Sequence, residues 1–188
     1  MTIYTIVLFV HAIAVLILTA ALTMEAWTLM HLRRALQPAD VRPWTGATQS
    51  IGFAAISSLV IIYVTGAYLT ESLHAWEFAW PRLAVLEIVL FAVFGVITGR
   101  RMRTIRRNAL GNKSDLSQWT ALTRSGFLKI SLSVRIWIVM GTVLLTAAKP
   151  GLQQSLVIVA GSLTLGLLFS FVSFGGRSMA STAQAGSR

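Results

Sequence analysis

The chain has 188 residues, 55 % of them hydrophobic and 12 % charged, with sixteen Lys and Arg against six Asp and Glu for a formal net charge of +10. A soluble domain carries about 25 % charged residues, so the composition excludes an ordinary water-soluble fold. The basic residues punctuate long apolar runs of mean hydropathy +0.73 overall, which makes them topology signals and contacts to anionic lipid and leaves no nucleic-acid partner.

A helix needs about 20 mostly apolar residues to cross the hydrocarbon core, and five stretches qualify: residues 3–30, 47–69, 81–98, 130–148 and 152–174. The first ends at His31, Arg33 and Arg34. It is too long for a secretory signal and has positive charge after it, not before it, which is the order of a helix inserted with its N-terminus outside. The second follows the breaker Pro43, the third opens on Pro81 in a favourable first-turn position, the fourth closes at Pro150-Gly151 and the fifth at Gly175-Gly176. Between the third and fourth, residues 100–126 carry seven of the sixteen basic residues; they extend the third helix as a basic spur, with a turn expected over residues 108–114 and the approach to the fourth helix over 114–119.

The expectation is an all-α, polytopic membrane helical bundle of five transmembrane helices, one domain over residues 1–177 with a disordered cytosolic tail at 178–188. Arg33, Arg34 and Arg42, then Arg100, Arg101, Arg103, Arg106, Arg107, Lys113, Arg124 and Lys129, then Arg177 and Arg188 fall on one side; Arg82 and Lys149 fall on the other. The positive-inside rule puts the N-terminus out and the C-terminus in, in the inner (plasma) membrane of a cell. Short loops make sequential helices antiparallel neighbours. No internal repeat of the transporter kind is visible.

Ionisable groups inside a bilayer are costly and mark interior faces. Tyr4, His11, Leu18 and Glu25 recur every seven residues on the first helix and share one stripe. Ser131, Arg135, Thr142, Thr146 and Lys149 form a polar stripe on the fourth. Arg135 lies about 8 Å inside its boundary; it snorkels, pairs with Glu25, or serves an ion. Glu87 lies about 9 Å below the outer end of the third helix, at the depth of His11. The two meet as a cation or proton site, or Glu87 bonds Arg82, Tyr68 or a buried hydroxyl. His11 itself orders packing or acts as a ligand or relay.

His11 and His74 are the pair that would hold a single b-type haem, since a membrane haem takes two His on one side. In the outer loop, Glu71, His74 and Glu77 would make a weak cation site, and Trp76 and Trp80 fit an interfacial aromatic belt. Gly95 and Gly99 make a small-residue step for close helix approach, with Gly141, Gly161 and Gly166 able to do the same. No cysteine is present, which excludes disulfides, thiolate metal sites and cysteine nucleophiles. No hydrolase or phosphate-loop motif appears, so an enzyme would act only through a cofactor.

Phe9-Val10-His11-Ala12, Arg33-Arg34-Ala35, Val64-Thr65-Gly66-Ala67-Tyr68-Leu69 and Arg101-Met102-Arg103 together resemble a family of small bacterial integral membrane proteins of unassigned function, itself distantly similar to copper-resistance D-type membrane proteins. The resemblance implies a helical inner-membrane protein and singles out His11. The leading functional expectation is a non-enzymatic accessory or packing component that associates with other membrane subunits or with itself. The alternatives are a single-haem electron carrier through His11 and His74, or a small cation or proton permease through His11 and Glu87.

Overall fold

Inside a bilayer no water is available to the backbone, so a long apolar run satisfies its N–H and C=O groups by coiling into a helix. The computed structural model describes residues 2–34, 45–110 and 126–175, and among these every long element is helical, with no strand. The helices are α1 (Ile3–Arg34), α2 (Thr45–Ser72), α3 (Ala79–Leu110), α4 (Gly126–Ala148) and α5 (Leu152–Gly175), with one 3-10 turn at Ala75–Glu77 between α2 and α3. All five contain a stretch of 20 to 30 residues long and apolar enough to cross a membrane.

Helix α3 runs on past its apolar part and stays helical through Asn108 to Leu110, so the start of the turn expected at 108–114 is helix. The remainder of that turn, the approach at 114–119 and the tail at 178–188 lie outside the described residues. The guanidinium of Arg101 on the spur sits 4.2 Å over the ring of Phe127 at the start of α4, which ties the two ends together.

Helices α1 and α2 pack along their length, as do α4 and α5, and α3 lies against α4; α1 touches α4 over a short stretch. The core follows from helical spacing. Ala14, Leu18, Leu22, Leu29 and Leu32 of α1 meet Ile62 of α2, Phe91 of α3, and Leu128, Leu132, Val134 and Ile138 of α4. Trp80 is buried with Ala75, Leu145 and Val159 in a second cluster, so it belongs to the core and not to the interfacial belt expected of it. The outer faces carry large apolar side chains, such as Phe53 at 74 % and Phe171 at 68 % exposure. Such a surface fits lipid and would aggregate in water.

Two helix ends turn through left-handed backbone without glycine: His74 at φ 49° after α2 and Lys149 at φ 47° after α4. The strain of that conformation is about 1–2 kcal/mol for a residue with a Cβ, offset in a glycine by about 0.5–1 kcal/mol of extra chain freedom. His74→Gly is therefore expected to raise stability by about 0.5 kcal/mol. Thermal unfolding in detergent checks this; a lower midpoint would give the imidazole a role beyond the turn.

Candidate functional site

The interior ionisable groups among the described residues fall into three separate clusters, each fastening one helix to another. Near the end of the bundle where α1 begins, His11 Nδ1 lies 2.8 Å from Thr65 Oγ1 on α2. The Thr65 hydroxyl donates its hydrogen to the carbonyl of Ile61 at 2.5 Å, so it accepts from Nδ1–H. That fixes the tautomer and leaves Nε2 as the basic nitrogen. Gly66 makes room for the ring: a Cβ there would stand 3.3 Å from His11 Cε1. Thr65→Val removes the acceptor and is expected to cost about 0.5–1.5 kcal/mol, with Thr65→Ser retaining most of it. Unfolding in detergent measures both, and an unaltered Val variant would show the bond to be idle.

Glu87 occupies the centre of the α3–α4–α5 unit and is fully buried. Thr142 Oγ1 lies 2.7 Å from its Oε2 and Ser162 Oγ 3.0 Å from its Oε1. Each hydroxyl also faces a carbonyl, Ile138 O at 3.0 Å for Thr142 and Val159 O at 2.9 Å for Ser162. Each hydroxyl is thus shared between the Glu87 carboxyl group and a carbonyl of its own helix. The seat exists because of Gly141. A Cβ added there would stand 2.7 Å from Glu87 Oε1 and 2.8 Å from Ser162 Cβ.

At the opposite end, where α1 and α3 finish and α2 and α4 begin, Arg135 pairs with Glu25 through Nη2 and Oε1. Arg135 is 3 % exposed. Its Nε donates to Ser131 O at 3.4 Å, and its guanidinium carbon lies 5.6 Å from the centre of the Phe91 ring. Beside it, Ser131 Oγ and Thr98 Oγ1 are 2.7 Å apart, joining α4 to α3. Of the readings open for Arg135, the structure selects the pair with Glu25 over snorkelling.

The heptad stripe of α1 is turned toward the other helices along its length, but it divides its partners. His11 goes to α2 and Glu25 to α4, with Leu18 buried between them. Among the described residues no hydrogen bond or ion pair joins His11 to Glu87, and Glu87 takes the buried hydroxyl of Ser162 and the half-buried one of Thr142 in place of Arg82 or Tyr68. His74 is exposed in its turn, and the cavity that His11 lines is walled by its neighbours Leu73 and Trp76. Glu71, His74 and Glu77 do not assemble: among the described residues no group of three His, Asp or Glu stands close enough to hold a metal.

Two cavities flank these clusters. One of about 420 Å³ near the start of α1 is walled by Tyr4, His11, Thr70, Trp76, Thr142 and Lys149 among others. The other, of about 390 Å³, lies between α1, α2 and α3 at the Arg135 end. Between them Leu18, Leu59, Ile62, Phe91 and Ile138 close around a void of about 50 Å³. Sequence reasoning missed Gly141 as the maker of the Glu87 seat; a glycine adjacent to Thr142 was the available signal. No protein-family model, curated protein or solved structure matches the chain.

Proposed function

We propose that the protein is a non-enzymatic accessory component of a larger membrane assembly, multi-pass in the inner membrane, with its N-terminus outside and its basic end in the cytosol. One observation carries this reading: each interior ionisable group has a partner within the chain that holds two helices together, Glu25 with Arg135, Glu87 with Thr142 and Ser162, and His11 with Thr65. Groups used in this way specify packing and are not left over for turnover. Orientation rests on the loop charge, since the two ends differ in Arg and Lys as the positive-inside rule requires. The resemblance to small bacterial membrane proteins of unassigned function is consistent with such a role. Isolation from native membranes in gentle detergent is expected to yield a complex larger than the 20.5 kDa chain. A lone monomer that conducts ions in liposomes would overturn the proposal.

Thr142 favours a second reading, a proton permease. It walls the cavity shared with His11 and also bonds Glu87, so one hydroxyl separates the carboxyl from that cavity. On this reading Glu87→Gln and His11→Ala each abolish proton flux in liposomes, and flux retained by both variants removes it.

A further inference from the structure

Gly95 and Gly99 give α3 a step that a neighbouring helix would be expected to fill. No helix fills it. A Cβ added at Gly99, or at Gly52 on α2, meets nothing within 4 Å, and one at Gly95 meets only Arg135 Nη1, at 3.9 Å. The space left is the cavity of about 390 Å³, whose wall includes all three glycines.

Small residues only make room; Arg135 gives the room a chemistry. A guanidinium carries five N–H donors. Nε is used on Ser131 O and Nη2 on Glu25, while Nη1 has no hydrogen-bond partner among the described residues and is the atom beside Gly95 at the cavity wall. A buried charged donor without an acceptor is costly, so the site calls for an oxygen. A water at Nη1 would supply one, but the wall between Arg135 and the cavity mouth is chiefly apolar, with Ala55, Leu59, Phe91 and Ala92, and its other polar groups, Glu25, Thr28 and Thr98, already bond Arg135, Met24 O and Ser131. The cavity rim includes Ile56, Val60 and Val96, exposed by 66 %, 57 % and 52 % on the lipid-facing surface, so its contents arrive from the bilayer.

We propose that this cavity binds an uncharged lipophile whose inner end carries a carbonyl oxygen that accepts a hydrogen bond from Nη1 of Arg135. The inner end of the ligand is uncharged because Glu25 already balances Arg135 there, and a second buried anion would bear its full desolvation cost; the other cation on the wall, Arg103, is exposed and solvated. The volume is within the ordinary range for a small-molecule pocket and suits a ring with a short tail. Phe91, Leu59 and Ala92 supply that ligand with apolar wall. This site goes beyond the accessory role and does not depend on it.

The test is photolabelling of the full chain in lipid nanodiscs with 4-decylbenzophenone, a diaryl ketone, and mapping of the labelled peptides. Label is expected on residues 51–60 and 91–103. Decylbenzoquinone, methyl laurate and decylbenzene then compete. Either carbonyl compound should displace the label at a concentration at least about tenfold below decylbenzene, the ratio one hydrogen bond to a charged donor supplies. A ring dione that outcompetes the ester identifies a quinone-like ligand, and the reverse identifies a lipid ester. Gly99→Leu, which fills open space and leaves the ion pair untouched, should lose the label by about tenfold or more while the protein stays monodisperse. Equal competition by decylbenzene, or label spread evenly over exposed faces such as those around Phe9 and Phe171, would reduce the cavity to a groove for any bilayer chain and overturn the proposal.

Discussion

Gly141→Ala is expected to be among the most damaging single-methyl additions to this chain, at about 2–4 kcal/mol. The new Cβ would overlap Glu87 Oε1 at 2.7 Å and Ser162 Cβ at 2.8 Å. Neither neighbour yields cheaply. Ser162 Cβ is held by the backbone of α5, so relief means spreading α4 from α5 along a seam that also contains the Ser133 Oγ to Gly166 O bond of 2.7 Å. Glu87, fully buried, can move only by giving up one or both hydroxyls, and a stranded carboxyl there is a large penalty. Gly166→Ala shares the outcome for a different reason, since its Cβ would stand 2.8 Å from the Cα of Val134, which is backbone. Gly161→Ala on the same helix meets nothing within 4 Å and should be neutral or slightly stabilising. Unfolding of the three variants in detergent separates them: equal effects at 141 and 161 would mean that α4 and α5 do not meet as described.

Depth was legible in the sequence and azimuth was not. Residues that lie equally far along their helices from the same end share a level. His11 is eight positions into α1 and Thr65 seven from the end of α2. Glu25 is nine positions from the end of α1 and Arg135 nine into α4. At about 1.5 Å per residue both pairs match to within about 2 Å, which is why the Glu25–Arg135 pair was open to expectation. Glu87, eight positions into α3, matches His11 equally well, yet the two do not bond. Which way each side chain points depends on how α1 packs on α2 and how α3 packs on α4, and that is set by the shapes of many apolar residues together. The same limit hid the hydroxyls of Thr142 and Ser162. Ser and Thr are frequent on all these helices and usually bond their own backbone four residues back, so nothing local marks the two that turn to a neighbour. Gly95 and Gly99 show the converse. The pattern said that something approaches closely, and the structure leaves a cavity there.

Loss of either partner of the Glu25–Arg135 pair is expected to cost about 3–5 kcal/mol, and loss of both much less. A removed partner leaves the other charge inside the bundle with nothing to balance it, whereas Glu25→Leu with Arg135→Met replaces both by apolar volume. The asymmetry depends on burial: an exposed pair would cost below about 1 kcal/mol for either single change. Here Arg135 is 3 % exposed. The pair also bridges the narrow contact between α1 and α4, and so helps dock the α1–α2 hairpin on the other helices. The cysteine-free sequence makes that docking readable. Leu18 and Ile138 belong to one buried cluster and wall the same small void, so Leu18→Cys with Ile138→Cys should be bridged by a short bifunctional thiol reagent in the otherwise native chain. Adding Glu25→Gln should slow that crosslink, and restoring charge balance with Arg135→Met should return it. Crosslinking that ignores all three backgrounds would show that the hairpin is held by its apolar contacts alone, and the ion pair would then be a passenger of the fold.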